Sequence, residues 1–502
     1  MNWGSPIYIF MWLIAYLLVS GWIAWKYSTG VKTEEDYYVA GRSVGPFANT
    51  MSIVATIMSG GIYLGTVGFF YQHGVSFLGY GYAYGGMVLA LWFIGKRLWP
   101  VGKKFHYTTA QDFYGDLYQS EFLRLFGAAG SIIFLIPYFA SNAVAMGTIL
   151  ETFAGLPYVW GVLLLIAFTT AYTAFGGMRA VIYTDVFQGV VSLLFGIVAV
   201  AIVLNAAGGY TTLMNTLPAS KTLQGSDAVA YGLFIGWFVF MFSHPLVLSD
   251  RMTRMYTIRS LPAFRRNVLQ TGGALLLMTT IFVLLGMASY QIAGPGKPLD
   301  QAILITIQQT APWLMAWMVV VVWACGMSTL DSGLLGANAM LNKDIIRRYI
   351  RPDISQKQLI RVGRWAMTAF GVLAVWIALA RPPYVWELIK LVNMYHMQFL
   401  PVLIGGLYWK RASRLGAEVG WAAGVLIGTY YTFISTTPPP INVGSAPAPG
   451  FFALIVNVVL FVVISLLVSP IPASHRATFE EAWSGSDVWR PEAVVAAKRQ
   501  EG

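Results

Sequence analysis

The sequence has little cysteine, histidine or charge, and each shortage excludes a class of protein. Its one cysteine, Cys325, excludes an intrachain disulfide, and its five scattered histidines leave no zinc-type cluster. Charged residues make up 11% of the chain, against about 25% in soluble globular domains. Hydrophobic residues make up 57%, and the mean hydropathy is +0.63. The composition predicts an all-α, polytopic membrane protein.

Long apolar runs account for most of the 502 residues. Spanning a bilayer takes about 20 residues, and about thirteen stretches are long enough to do so. They are 6–26, 46–71, 76–98, 124–150, 157–175, 180–204, 229–249, 267–293, 311–340, 362–380, 384–409, 417–437 and 450–469. No basic region or small-residue cleavage site accompanies the first run, which predicts a retained helix and no signal peptide.

The positive charge is distributed unevenly along the chain. The net charge is +11, and all but four of the 32 Lys and Arg fall at cytoplasmic positions if the N-terminus lies outside and the spans alternate. Lys221, Lys297 and Arg381 would lie outside, and Lys390 falls inside a span. This asymmetry predicts a multi-pass protein of the cell membrane with a cytoplasmic C-terminus, and it argues against nucleic-acid binding.

The second span carries Ser59, Gly60 and Gly61 at mid-depth. Adjacent glycines weaken a helix, and an unwound peptide in hydrocarbon needs protein, water or an ion to replace its lost hydrogen bonds. The run therefore indicates either a binding site at a helix break or a close approach of a neighbouring helix.

The seventh span carries a second interruption, Ser243-His244-Pro245. Proline removes a backbone donor and kinks a helix. Paired interruptions in corresponding helices are typical of transporters built from inverted repeats. His244 is interpreted either as a solute or gate contact or as a packing residue.

Asp185 lies inside the sixth span, three residues before Gln188. An intramembrane carboxylate marks an ion or proton site by default. The alternative is a structural ion pair, for which Arg179 is the nearest cation in the sequence.

The ninth span has a stripe of oxygen-bearing groups at helical spacing. Cys325, Ser328, Thr329 and Ser332 share one face, and Asp331 lies beside them. Hard oxygen ligands suit an alkali cation better than a transition metal. Hydroxyls in membrane helices often bond to their own helix instead, but three hydroxyls and the carbonyl of Cys325 on one stripe favour a cation site.

Several segments together resemble the sodium:solute symporter family, which includes sodium/proline, sodium/galactose and sodium/sialic acid transporters. The matching segments are Asp36 to Arg42, Gly176 to Gln188, Met327 to Ser332, and Pro401 through Tyr408-Trp409-Lys410-Arg411 to Ala417. The resemblance implies a leucine-transporter-like core of two inverted five-helix repeats, alternating access driven by sodium, and no enzyme activity. The implied division is 1–45 (extra helix and loop), 46–204 (first repeat), 205–228 (outer loop), 229–409 (second repeat), 410–470 (two helices) and 471–502 (cytoplasmic tail).

The resemblance also implies two sets of sodium ligands. The first comprises Ala55, Met58, Cys325, Ser328 and Thr329. A possible second site comprises Asp185, Ser328, Asp331 and Ser332. Asp331 stands where characterised two-sodium sites often carry a small polar residue, which leaves the charge of this second site open.

The predicted solute contacts follow from the two breaks and from the position of Pro401. They are Ser59, Gly60, Tyr84, Asn142, His244 and Asn393. The amides of an unwound helix favour an anionic group such as a carboxylate. Pro137-Tyr138 and the 264–267 loop weakly resemble monocarboxylate permeases of the family, so a monocarboxylate or amino acid is expected ahead of a sugar or vitamin.

Other functions remain open at this stage. The same fold driven by protons would use Asp185 or Asp331, a channel would conduct without solute, and a sensor would need an output domain that the tail after Ile471 is too short to provide. The expected partners are the solute, sodium and the bilayer, with no obligate protein partner evident.

Overall fold

The computed structural model describes residues 6–31, 33–222, 229–382, 385–441 and 448–484, and the regular structure of these residues is helical. The helices are α1 (Pro6–Ser28), α2 (Glu34–Val39), α3 (Pro46–Ile57), α4 (Gly60–His73), α5 (Leu78–Ala90), α6 (Lys96–Lys104), α7 (Ala110–Leu117), α8 (Glu121–Ala154), α9 (Tyr158–Ala206), α10 (Gly209–Thr216), α11 (Val229–Val247), α12 (Ser249–Thr257), α13 (Leu261–Ala293), α14 (Ala302–Thr310), α15 (Met315–Ala339), α16 (Gln356–Leu379), α17 (Val385–His396), α18 (Phe399–Tyr408), α19 (Arg414–Phe433), α20 (Ala448–Leu467) and α21 (Ala473–Ser484). Residues Leu91–Gly95 and Met340–Ile350 form π-helical continuations of α5 and α15.

The all-helical prediction is confirmed, and every predicted span overlaps a described helix. By length and composition, 7 helices of the described residues can cross a membrane, or up to 8 if the bent pair α3–α4 counts as one span. Thirteen crossings therefore remain a prediction. Every residue of α15 except Trp317 is buried, so α15 is the central helix of the bundle.

The break predicted in the second span lies between α3 and α4. The two helices are bent by 67°, and Ser59 caps α4 by accepting a hydrogen bond from the amide of Ile62 at 3.1 Å. Gly60 also faces α15, where an added Cβ would lie 3.3 Å from Val322. The chain therefore unwinds where two helices approach closely, and a binding site at this break stays a prediction.

The interruption predicted at Ser243-His244-Pro245 is displaced. Helix α11 continues through these residues to Val247, and the break falls at Leu248, whose φ of −77° and ψ of 123° are extended. Proline is tolerated within α11 because its cost is one lost hydrogen bond, to the carbonyl of Met241 one turn earlier. The prediction of a broken seventh span holds, but its position was wrong by three residues.

The chain reverses direction at Gly177 within α9. Gly177 has a φ of +60°, and an added Cβ would lie 2.8 Å from Tyr37. A straight helix would separate Tyr172 and Asp185 by about 20 Å. Instead Tyr172 bonds to Asp331, and Asp185 reaches Ser332 through their shared partner Arg254. Gly177 therefore separates the predicted fifth and sixth spans, 157–175 and 180–204, within α9.

Candidate ion and solute site

The carbonyl end of α3 meets the predicted stripe of α15. The hydroxyl of Ser328 donates to the carbonyls of Ala55 at 2.8 Å and Cys325 at 3.1 Å. The hydroxyl of Thr329 donates to the carbonyls of Cys325 and Thr56, both at 3.0 Å. The last carbonyls of a helix lack intrahelical donors, so the broken end of α3 supplies acceptors that α15 satisfies.

Four of the five residues predicted for the first sodium site thus converge on one point between α3 and α15. The fifth, Met58, lies three residues beyond Ala55 at the C-cap of α3, where its amide bonds to the carbonyl of Val54 at 3.0 Å. The converging groups are neutral carbonyl and hydroxyl oxygens, which suit a hard cation of low charge. A cation bridging these oxygens requires rotation of the two hydroxyl protons and a small separation of α3 from α15.

Helix α12 brings buried charges to the same region. The charge pattern predicts that Arg251 and Arg254 lie among the cytoplasmic charges, but Asp250, Arg251 and Arg254 are 3%, 4% and 0% exposed. Arg251 donates to Asp250 at 2.6 Å and to the carbonyl of Thr56 at 3.1 Å. Because the break at Leu248 turns α12 inward, these side chains pack against α3 and α15 and do not face solvent.

Asp185 forms an ion pair with Arg254, not with Arg179. The distance from Arg254 Nη2 to Asp185 Oδ2 is 2.9 Å, and both side chains are fully buried. The hydroxyl of Ser52 donates to the same carboxylate oxygen at 2.5 Å and accepts from Arg254 Nε at 2.8 Å. Arg254 also donates to Ser332. The sequence analysis missed this arginine because it is 69 residues from Asp185 along the chain.

Asp331 lies beside this ion pair with a different set of partners. Tyr172 donates to one carboxylate oxygen, and Ser332 donates to the other at 2.9 Å. Its hydrogen bonds in the described part of the chain therefore come from neutral hydroxyls. Of the four residues predicted for the second sodium site, Asp185 lies on α9, and Ser328, Asp331 and Ser332 lie on α15. Arg254 lies between the two helices and donates to both Asp185 and Ser332.

A small cavity of about 10 Å³ lies between the two helix breaks. Its polar side chains are Tyr138, His244 and Asn393, and Trp237 and Phe240 form much of its apolar wall. The Nδ1 of His244 is buried and has no hydrogen-bond partner among the described residues. A space of this size holds about one water molecule, so any larger solute needs its walls to separate.

The structure brings two of the six predicted solute residues, His244 and Asn393, to the cavity wall. Ser59 caps α4 next to it and is fully buried. Gly60 packs against Val322 on α15, and Asn142 donates to the carbonyl of Tyr138 at 3.0 Å within α8. Gly60, Tyr84 and Asn142 are not among the residues that line this cavity.

Residues that sequence reasoning missed fall into two groups. Ser52, Tyr172, Arg251 and Arg254 surround the carboxylates, and Tyr138, Trp237 and Phe240 line the cavity. One signal for the first group was available. The run that follows the second break places three charged residues on a nine-residue helix directly next to a predicted site.

A second polar network surrounds Arg124. Its guanidinium contacts Asp112 at 3.2 Å and Asp344 at 3.6 Å and also bonds to Asp116. Burial alone would raise the pKa of Asp112, but Lys343 and Arg124, with the backbone amides of 108 and 109, hold that pKa below its usual value. The network ties α7 and α8 to the π-helical end of α15.

Two broken helices that meet around a central cavity, with carbonyl and hydroxyl oxygens converging at one break, are typical of a secondary transporter. The family model described as the sodium:solute symporter family matches residues 37–424, and the chain belongs to this family. This confirms the family resemblance found in the sequence.

Among relatives, the osmoregulated proline transporter of Bacillus subtilis is 25% identical over 93% of this chain and 95% of its own. The Escherichia coli sodium/pantothenate symporter is 27% identical over 84% of this chain and 90% of its own, and the sodium/proline symporter of the same organism is 27% identical over 82% and 84%. A solved sodium-coupled sialic acid symporter in a substrate-bound, outward-open state has a TM-score of 0.81 and 19% identity, covering 92% of this chain and 98% of its own. This last match shows the fold.

The chain is therefore a multi-pass membrane protein and a sodium-coupled solute symporter, with sodium as its coupling ion. It belongs among transporters and not enzymes.

Proposed function

We propose that this symporter imports a small carboxylate-bearing solute, a monocarboxylate or an amino acid, together with sodium. The observation that carries the proposal is the cavity between the two breaks, where His244 and Asn393 interrupt an otherwise apolar and aromatic wall. Few polar groups in an apolar cavity fix the orientation of a small solute that has one polar end.

Positive potential near the cavity favours an anionic end. The first amides of α4 point toward the break, and the N-terminus of a helix attracts anions. Arg251 lies at the carbonyl end of α3 and also interacts with Tyr138 on the cavity wall. Because Asp250 pairs with this guanidinium at 2.6 Å, the N-terminus of α4 remains the main source of positive potential at the cavity. The relatives' named solutes, proline and pantothenate, both carry one.

The proposed first sodium site is formed by Ala55, Met58, Cys325, Ser328 and Thr329. Sodium bound there would bridge α3 and α15 and so hold the break in the arrangement that receives solute. Coupling requires that ion and solute prefer the same arrangement.

The proposed second site, formed by Asp185, Ser328, Asp331 and Ser332, competes with the protein's own cation. Arg254 already neutralises Asp185 and bonds to Ser332. A second sodium ion there requires displacement of the guanidinium, or Asp331 alone to provide the charge. We therefore favour one sodium ion per cycle.

Alternating access would operate between the inverted repeats 46–204 and 229–409, with 1–45, 205–228, 410–470 and 471–502 outside them. In support, the first helix of each proposed repeat packs against the second helix of the other, α11 against α5 and α3–α4 against α13. In the proposed orientation in the cell membrane, the N-terminus lies outside the cell and the C-terminus lies in the cytoplasm.

Uptake into liposomes tests the proposal. The purified protein would be supplied with labelled acetate, lactate, pyruvate, proline, alanine, pantothenate or galactose, under an inward sodium or an inward proton gradient. Sodium-driven accumulation of one carboxylate class is expected, and accumulation of galactose alone would overturn the solute assignment.

A matched pair of α11 variants ties uptake to the cavity. Phe240→Leu changes the cavity wall, while Phe238→Leu changes a side chain that packs against Gly86 of α5. The first should raise the KM for the transported solute severalfold and the second should not. Equal changes of KM in the two variants would show that the solute does not bind in this cavity.

A further inference from the structure

A groove of about 670 Å³ lies on the membrane-facing side of the bundle, between the first part of α9 and α16. Its wall is apolar along most of its length, and several of its side chains point away from the protein. Phe175, Val372 and Trp365 are 63%, 63% and 72% exposed, although both helices are long and apolar enough to span a membrane. In a bilayer this surface faces lipid chains, not water.

One end of the groove is basic. Arg361 and Arg364 line it one turn apart on α16. Arg364 donates to the carbonyl of Ala174 at 3.0 Å and lies over the ring of Phe175 at 4.9 Å, which fixes its guanidinium at the groove mouth. Arg361 makes no hydrogen bond or ion pair within the described ranges. Neither positive charge at this end is therefore neutralised by a protein carboxylate there.

The groove also contains an unpaired polar atom. Thr170 lines it on α9 and is only 7% exposed, yet its hydroxyl has no hydrogen-bond partner among the described residues. A buried hydroxyl without a partner is unfavourable, so a ligand that offers an acceptor at this depth would be stabilised.

The length of the groove matches one leaflet. From Arg361 to Val375 is fourteen residues, or about 21 Å along a helix, against about 20–22 Å for one leaflet including its headgroup region. Trp365 beside the arginines suits the boundary between headgroups and chains. By the distribution of Lys and Arg, this boundary faces the cytoplasm.

We propose that this groove binds an anionic phospholipid. Its phosphate pairs with Arg361 and Arg364, its ester region meets the hydroxyl of Thr170, and an acyl chain follows the apolar wall toward Val375. Basic pockets between membrane helices on the cytoplasmic side attract anionic headgroups. A soluble phosphate would use the arginines alone and leave the apolar wall unexplained.

Native mass spectrometry of the purified full chain tests the proposal, with phosphatidylglycerol, phosphatidylcholine or inorganic phosphate added separately. Phosphatidylglycerol should be retained more strongly than phosphatidylcholine. Arg361→Gln should weaken its retention about fivefold and the double variant with Arg364→Gln about 30-fold, since each arginine near the surface contributes about 1 kcal/mol. Lys357→Gln removes a nearby charge of α16 that does not line the groove, and it should change retention little.

Three results would overturn the proposal. The first is equal retention of the two phospholipids, and the second is unchanged retention of phosphatidylglycerol by the double variant. The third is a loss of phosphatidylglycerol retention in Lys357→Gln as large as that in Arg361→Gln. Binding of inorganic phosphate as tight as that of the lipid would assign the arginines to a soluble anion instead. Arg361→Lys, which keeps the charge, should retain the lipid and so controls for misfolding.

Discussion

The carbonyl of Thr56 receives donors from two different helices. The hydroxyl of Thr329 on α15 and the guanidinium of Arg251 on α12 both reach it, at 3.0 and 3.1 Å. Because unpaired carbonyls in a membrane are unfavourable, these donors stabilise the break in α3. Sodium is proposed to bind at this same end of α3. The ion and the donating side chains would therefore compete for the same carbonyl oxygens.

We expect Thr329→Ala to raise the sodium concentration for half-maximal uptake severalfold, because it removes one oxygen ligand. The helix should persist, since alanine is a strong helix former. Sodium titration of uptake in proteoliposomes measures the change. Thr329→Ser, which keeps the hydroxyl, should resemble the wild type, and an unchanged sodium dependence in the alanine variant would remove Thr329 from the site.

The Asp185–Arg254 pair predicts a double-variant result. Removing one partner leaves a buried charge uncompensated, which costs about 3–5 kcal/mol. Asp185→Asn and Arg254→Gln should therefore each reduce the yield of folded protein and abolish or uncouple transport. The double variant should recover the yield, measured by size-exclusion chromatography of protein in detergent.

Transport by that double variant then separates two roles of Asp185. If the carboxylate serves only the ion pair, sodium-driven uptake should return with the yield. If Asp185 also binds sodium, folding should return while the sodium dependence stays altered. Failure of the double variant to recover any folded protein would contradict the ion-pair account.

At this scale the sequence was informative where chemistry is local. The i, i+3, i+4 spacing of Cys325, Ser328 and Thr329 was enough to predict a common face, and the structure places their oxygens together. The partner of Asp185 was not predictable, because proximity along the chain suggested Arg179. The turn at Gly177 and the inward course of α12 bring Arg254 there instead.

At the scale of helices, both breaks consist of one or two non-helical residues between two consecutive helices. In the first, Met58 and Ser59 are the two non-helical residues, and Ser59 caps the new helix. In the second, a single extended residue, Leu248, separates α11 from α12. Glycine content identified the first break from sequence. The second was misplaced because proline is the stronger signal in a sequence but a helix bundle can absorb one missing hydrogen bond.

The turn within α9 depends on one glycine. Gly177→Ala should lower the melting temperature of the purified protein, because a residue with a Cβ is strained at a φ of +60° and would also meet Tyr37 at 2.8 Å. With its ψ of −166°, Gly177 lies in a backbone region that is almost exclusive to glycine, and such strain costs about 1–3 kcal/mol. Gly273→Ala on α13, where nothing lies within 4 Å, is the matched control and should be neutral or stabilising. Equal melting temperatures for the two variants would contradict this account.

At the scale of the whole molecule, the cavity of about 10 Å³ means that solute binding and helix movement are inseparable. Its walls come from α3, α4, α8, α11 and α17. The proposed sodium position lies where α3 meets α15, so an ion that separates these helices also changes the cavity. The sequence patterns were enough to predict the helices. The small size of the cavity was not predictable, because it depends on how side chains distant in the sequence pack together.

Linked sites of this kind must show reciprocal binding. Sodium should tighten solute binding by some factor, and solute should tighten sodium binding by the same factor, typically 5- to 150-fold. Equilibrium binding of the solute identified by uptake, measured on purified protein in sodium or in potassium at equal ionic strength, gives the first factor. Sodium titration with and without that solute gives the second.

The Ser328→Ala variant completes this test, because its hydroxyl lies 2.8 Å from the carbonyl of Ala55 at the proposed ion position. It should weaken solute binding in sodium severalfold and leave binding in potassium unchanged, since the side chain does not line the solute cavity. A solute affinity that is the same in sodium and potassium for the wild type would show that the two sites are not coupled at equilibrium. Equal weakening in both salts would instead make Ser328 a structural residue.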